Sequence, residues 1–307
     1  MKQSSIKSKS FLKRPLVRRL LFSFVLLIMI SNLMTSCLQF RMSPKAVDRY
    51  FDGIEGKPQL KTVTIDSREI NFAYQDNGKS VTAVFIHGAP GSWSAFVDFM
   101  KVDSLKAAVN ILSVDRPGYG YSNFGDAMIS LKDQSYYLME AIKTVANDDL
   151  ILVGHSLGGP VAMRMMMDYP DQNMTAVLVA PSIDPDLEKR EWYRYLGKLR
   201  LVKYMIPTSF WVTNEEIYDL KKELVMMAPG WDKIDQRVIV IQGTKDTLVP
   251  KENADYAARM LPDSLVTLRM LEGVNHFIPW SHPQTITDAV LELAGGATPT
   301  SIETSPR

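Results

Sequence analysis

The chain has 307 residues, 46 % apolar and 22 % charged, which suits one domain of about 250 residues with a buried core and short extensions. Its net charge of +1 hides an asymmetry: residues 1–36 hold seven basic residues and no acid, leaving 28 basic against 34 acidic residues in the remainder, a net of −6. A mildly acidic body carries no electrostatic footprint for nucleic acid, and a single cysteine, Cys37, excludes an intramolecular disulfide framework and any cysteine-rich metal site.

The basic start leads into an apolar run, Leu20 to Ile30, then Ser31 to Ser36 and Cys37. Eleven such residues form a signal-peptide core and fall short of the roughly 20 that a spanning helix needs. Met34-Thr35-Ser36-Cys37 resembles the lipobox of bacterial lipoprotein signal peptides, with Met34 in place of the usual leucine. The resemblance implies a signal peptide over 1–36, lipidation of Cys37, and a lipidated tether over 37–58. The competing readings are an ordinary secretory signal cleaved near Ser36 and an uncleaved membrane anchor. Each places the body outside the cytoplasm. The lipoprotein reading puts it at a bacterial cell envelope, with an outer membrane preferred because Leu38, not aspartate, follows the cysteine; the alternative is a secreted protein.

Further on, Lys61 to Asp66 and Glu69 to Gln75 alternate apolar with polar residues, the pattern of a hairpin. Val81 to Ile86 is a nearly continuous apolar run of the kind buried on both faces of a parallel sheet. Ser94 to Ser104 reads as a helix or helical turn, Val109 to Val114 as a strand and Ile129 to Val145 as a helix. Strand and helix then alternate through Leu150–Val153, Val161–Tyr169, Ala176–Ala180, Arg237–Gln242, Ala254–Met260, Ser264–Leu271 and Thr285–Leu293. The expected fold is α/β, a mainly parallel central sheet flanked by helices, with sites at the carboxyl ends of its strands.

One stretch interrupts the alternation. Residues 182–236 show helical patterns and no convincing strand, and divide the core into 59–181 and 237–294. Thr213-Asn214-Glu215-Glu216 reads as a capping box with Thr213 as N-cap. The aromatics Trp192, Tyr193, Tyr195, Tyr204, Phe210 and Trp211 are expected both to pack this insert onto the body and to line an apolar pocket. The tail 295–307, rich in Gly, Thr, Ser and Pro, is expected to be disordered.

Leu150 to Val153 runs into Gly154-His155-Ser156-Leu157-Gly158, and a helix follows. That context fits a nucleophile elbow, a strained turn that lifts the serine hydroxyl clear of the sheet edge. A serine needs a base, and the base an orienting acid. Of the four histidines, His276 follows the last strand at the edge that carries Ser156; His282 is the weaker candidate, and His87 and His155 are expected to be structural. Asp246, in the Gly-Thr-Lys-Asp turn after a strand, is the acid. The chain order Ser156, Asp246, His276 fits one triad architecture and neither common protease order. The N–H groups of Ala89 and Leu157 are the oxyanion donors.

Five motifs, namely His87-Gly88-Ala89-Pro90-Gly91, Asp115 to Ser122, Gly154 to Gly159, Gly243 to Asp246 and Gly273 to His276, resemble the α/β-hydrolase fold superfamily over about residues 60–294. The resemblance implies Ser156 as nucleophile, Asp246 as acid, His276 as base, and 182–236 as a helical cap; Asp115 to Ser122 is then structural and pocket-shaping. Relatives that act on haloalkanes or epoxides carry an aspartate at the elbow, so a serine implies hydrolysis of an ester, thioester or amide. The leading expectation is a carboxylesterase-like enzyme acting on a small-molecule acyl substrate. The rivals are a proline-iminopeptidase-type aminopeptidase anchored by Glu188, Glu191, Glu215 or Glu216, a carbon–carbon bond hydrolase, and a non-catalytic surface-anchored binding protein. No cofactor or metal is expected, since no phosphate-binding fingerprint and no ligand spacing is present. No obligate protein partner is evident; the membrane is met through the N-terminal anchor.

Overall fold

Alternating side chains commit the central strands to a sheet covered on both faces. The computed structural model describes residues 15–146, 149–189, 191–199 and 202–295, with backbone alone at 28 and 31–37. The first fourteen residues of the expected signal peptide, the Cys37 side chain and the expected tail beyond Gly295 lie outside the described residues.

Helix α1 (Pro15–Cys37) extends well beyond the apolar run on both sides. Helix α2 (Pro44–Tyr50) is capped by Ser43, whose side chain accepts from the Ala46 N–H. Here the structure departs from the expected tether: Val47 and Phe51, one helical turn apart, are buried in the core, so this segment is part of the body.

The hairpin β1 (Gln59–Ile65) and β2 (Arg68–Gln75) turns at Asp66 and Ser67, both at positive φ. After β3 (Val81–Ile86) come a 3-10 segment at Trp93–Lys101, α3 (Asp103–Ala108), β4 (Asn110–Val114) and α4 (Leu131–Lys143). Strand β5 (Asp149–His155) leads to α5 (Gly158–Asp168) and β6 (Met174–Val179). Between β6 and β7 (Val238–Gly243) lie α6 (Arg194–Gly197), a 3-10 turn at Val202–Tyr204, α7 (Thr208–Met227) and a 3-10 segment at Ala228–Lys233. The chain closes with α8 (Glu252–Met260), β8 (Val266–Leu271), α9 (Ile278–Ser281) and α10 (Pro283–Gly295).

The strand order is β1-β2-β4-β3-β5-β6-β7-β8. β1 and β2 pair antiparallel, as do β2 and β4, and every other neighbouring pair is parallel. Val84, Ile86, Leu112, Leu152, Leu178 and Val240 face the core layer containing α4 and α5. Their neighbours Ala83, Phe85, Ile111, Val153, Val177 and Ile241 face the layer containing Phe96, Phe99 and α10. From β3 the chain steps outward to β4 and then returns to β5 on the other side. That reversal opens a crevice beyond the carboxyl ends of β3 and β5, the place where such sheets bind ligands.

The capping box expected at Thr213 is not formed. Helix α7 starts five residues earlier, after Pro207. Thr213 lies inside it and bonds the Ser209 carbonyl at 2.8 Å, one turn back. A buried arginine claims the Glu216 carboxylate, so that side chain turns inward.

Candidate active site

Ser156 stands at the crevice between β3 and β5, and its backbone has φ of +54°. A non-glycine residue held there stores about 1–3 kcal/mol of strain, so its surroundings must fix it. The Ser156 N–H donates to the Val179 carbonyl at 3.0 Å and its carbonyl accepts from the Gly159 N–H at 2.9 Å. Glycine is required on both sides of the turn. A Cβ on Gly158 would lie 2.1 Å from the Ile86 carbonyl oxygen, and one on Gly154 would lie 2.5 Å from the Gly158 carbonyl oxygen.

Asp246 and His276 arrive from the ends of β7 and β8 and meet. His276 Nδ1 donates to Asp246 Oδ2 at 2.7 Å, leaving Nε2 free to act. Asp246 Oδ1 accepts from the N–H groups of Leu248 (2.9 Å) and Val249 (2.8 Å). Burial opposes ionisation of Asp246, but the hydrogen bond and electrostatic attraction of His276 and those two N–H groups outweigh it and hold the carboxyl below its usual range.

His155, next to Ser156 in sequence, connects this pair to the turn that carries the serine. Its Nε2 donates to the His276 carbonyl at 3.1 Å, and the two rings lie 4.8 Å apart. Trp280 closes the other side, edge-on at 5.7 Å. Burial, and then the neighbouring His276, push the His155 pKa down to about 3. The ring is therefore neutral with its proton on Nε2, a brace rather than a base. Among the described residues Ser156 Oγ has no hydrogen-bond partner, and no link from it to the Asp246–His276 pair is formed. Such links are often long before substrate binds. His282 is exposed, and among the described residues its ring bonds only the Ser281 hydroxyl.

The loop after β3 crosses the elbow closely: a Cβ on Gly88 would lie 2.9 Å from Ser156 Cβ. Ala89 follows, and Leu157 stands at the start of α5. Neither N–H donates to another protein group among the described residues. His87 braces this loop. Its Nδ1 donates to the Gly88 carbonyl (2.6 Å), while its Nε2 accepts from the Arg116 N–H (3.0 Å). Burial and then the Arg116 charge hold its pKa well below normal.

Arg116 is the centre of a network that sequence reasoning missed. Its guanidinium grips Glu216 of α7 with both nitrogens, at 2.8 and 3.1 Å. It also donates to the His87 carbonyl (2.8 Å) and Gln134 (2.9 Å). The Tyr119 hydroxyl donates to the same Glu216 carboxylate at 2.7 Å. Only the Arg-Pro-Gly that follows β4 hinted at a buried arginine; nothing local named its partner a hundred residues on.

The aromatics of the insert depart from expectation. Trp192, Tyr193, Tyr195, Tyr204 and Phe210 are exposed, with Trp192 at 74 %; of these Phe210 meets Phe40 edge-on, and Trp211 is half-buried. The apolar groups beside His276 are instead Phe277 and Trp280, both half-exposed. Among the described residues no group of histidine, cysteine and carboxylate side chains is placed to hold a metal.

These features define the class: an α/β protein with a mainly parallel sheet and its site at the carboxyl ends of the strands. Residues 83–289 match the alpha/beta hydrolase family, and the chain belongs to it. It is 27 % identical over 198 residues to a probable 1-acylglycerol-3-phosphate O-acyltransferase of Oryza sativa subsp. japonica, covering 61 % of this chain and 44 % of that protein. The chain thus spans less than half the length of that relative. It is 22 % identical over 283 residues to the 2-hydroxy-6-oxo-6-phenylhexa-2,4-dienoate hydrolase of Burkholderia cepacia, covering 77 % of this chain and 96 % of that protein. A similar solved structure is that of a membrane phospholipase A, a bacterial virulence factor, with a TM-score of 0.62 at 17 % identity over 91 % of this chain and 98 % of that one.

Proposed function

We propose that this chain is a serine hydrolase that cleaves a carboxylic ester through an acyl-enzyme, with Ser156 as nucleophile, His276 as base and Asp246 as orienting acid. The observation that carries the reading is the Asp246–His276 hydrogen bond beside a serine at positive φ. His276 Nε2 takes the Ser156 hydroxyl proton as Oγ adds to the acyl carbon. The Ala89 and Leu157 N–H groups receive the oxyanion. The intermediate collapses, His276 passes the proton to the departing alkoxide, and water repeats the sequence to release the acid. Phe277 and Trp280, beside the base, offer apolar surface to an acyl or alcohol chain.

Hydrolysis of a carbon–carbon bond is the second reading, favoured by the likeness to the dienoate hydrolase over 96 % of its length. The aminopeptidase reading loses two of its anchors, because Glu216 is bound by Arg116 and Glu215 by Lys198. Attachment to a bacterial envelope through Cys37 belongs to the proposal as well, resting on the sequence before and after that cysteine.

The test compares the full chain with Ser156→Ala in labelling by a fluorophosphonate and in turnover of p-nitrophenyl esters of increasing acyl length. Loss of both in the variant is the expected result. Labelling without ester turnover moves the assignment to the carbon–carbon bond, and absence of labelling in folded protein overturns the serine mechanism.

A further inference from the structure

The insert carries a face that the catalytic reading leaves unused. Trp192, Tyr193, Tyr195, Leu199, Tyr204 and Phe210 are all exposed. An acidic body does not ordinarily leave so many large apolar groups in one short stretch open to water. The charge of that stretch also runs against the rest of the chain. Residues 189–204 hold six basic residues and one acid, whereas the body beyond residue 36 is net −6. Of the described ones, Lys203 lies over the Trp211 ring at 4.0 Å and Arg194 over Tyr193 at 5.5 Å; Lys198 alone is paired, to Glu215 and Asp219. Aromatic rings interleaved with basic side chains are suited to the headgroup layer of a bilayer containing anionic lipid.

Where the N-terminal segment reaches the body selects this occupant over a protein. The Ser209 hydroxyl donates to the Leu38 carbonyl at 2.7 Å, and Phe40 packs edge-on against Phe210 at 6.1 Å. Arg41 donates to the Gly120 carbonyl and stacks on Tyr121, in the loop after β4. The chain is thus fastened to the start of α7 one residue after Cys37. Helix α1, whose Leu16, Leu20, Phe22 and Met29 are exposed, touches the 202–204 turn. Among the described residues no helix is long and apolar enough to cross a membrane. Whether anchoring comes from a lipid on Cys37 or from α1 itself, it reaches the body beside the aromatic face.

We infer that residues 192–199, 202–204 and Phe210 form a second membrane contact, which seats the insert on an anionic lipid surface and turns the carboxyl edge of the sheet toward the bilayer. The loops that follow β4 meet α7 at Gly125 and Thr208, so the seated face and the crevice lie at the same end of the molecule. The inference does not depend on which bond Ser156 attacks.

The experiment uses the full chain bound to vesicles of phosphatidylglycerol and phosphatidylcholine, with and without bromine on the acyl chains. Subtracting the fluorescence of Trp192→Phe from that of the unchanged protein isolates the Trp192 signal. At 74 % exposure the ring supports no core packing, and matching circular dichroism verifies the fold. Brominated lipid is expected to quench that signal by more than half, and at least twofold less in vesicles of phosphatidylcholine alone. A Trp192 signal untouched by bromine while the chain sediments with vesicles overturns the inference, as does failure to sediment. So does a signal shielded instead by concentration-dependent self-association. No outcome depends on hydrolysis, so a failed esterase assay and a failed membrane contact are read separately.

Discussion

At the scale of single residues, His155 makes the folded protein sensitive to acid. Its imidazole is held neutral by burial, with a pKa of about 3 against about 6.5 when unfolded. Between those values the unfolded chain binds a proton that the folded one does not. Stability therefore rises with pH across this window and falls on acidification, by up to about 1.4 kcal/mol per pH unit. Urea unfolding between pH 6.5 and 4.5 is expected to be less steeply pH-dependent in His155→Gln by about that amount. Asp115 acts in the opposite sense, since burial lifts its pKa to about 6, and it is unchanged in both proteins. An equal slope in the two would refute the assignment. The Asp246 contribution is confined to more acid conditions: its lowered pKa gives stability above the ordinary carboxylate range that is lost as the pH falls through the folded value.

At the scale of elements, α7 is secured to the body by the buried Arg116–Glu216 pair as well as by Leu220, Leu224 and Met227, which recur at helical spacing and lie in the core. Removing the carboxylate in Glu216→Ala leaves the Arg116 guanidinium buried and uncompensated, at a cost of about 3–5 kcal/mol, seen as a lower midpoint in chemical unfolding. Replacing both partners, Arg116→Met with Glu216→Leu, is expected to recover most of that loss, because no charge is then stranded. Helix α2 supplies a second test. Phe51 is buried in the same layer as Phe96 and Val290, so Phe51→Ala is expected to destabilise the protein by about 3–5 kcal/mol. A free tether would leave the unfolding midpoint unchanged.

Across the whole molecule, the site exists because two strands distant in sequence order lie side by side. β3 and β5 pair along residues 81–86 and 149–154, and beyond them the start of α5 meets the end of β3, where a methyl group at Gly158 would lie only 2.1 Å from the Ile86 carbonyl oxygen. Both atoms in conflict belong to rigid backbone. Gly158→Ala is therefore expected to abolish soluble, cooperatively folding protein, measured by expression yield and thermal melting, whereas the exposed Gly295, where an added Cβ meets nothing within 4 Å, should tolerate the change. The elbow, the strand-end aspartate and the histidine after the last strand were all legible beforehand, because each is a local pattern of chain direction and turn chemistry. The strands were legible for the same reason: burial on both faces demands continuous apolar runs. Three features were not. Thr213-Asn214-Glu215-Glu216 satisfied a local capping pattern, but a long-range ion pair outweighs one cap. Residues 37–58 were expected to form a tether, yet Val47 and Phe51 dock that segment in the core. The insert's aromatics implied burial on composition, and the fold leaves them in the open. Sequence by itself determined the elements, their alternation and the residues with reactive chemistry, since these follow from periodicity and backbone geometry within a few residues. Tertiary structure alone decided which buried charge meets which, which ring braces His276 and which apolar face stays bare, because partners far apart in sequence are chosen by packing.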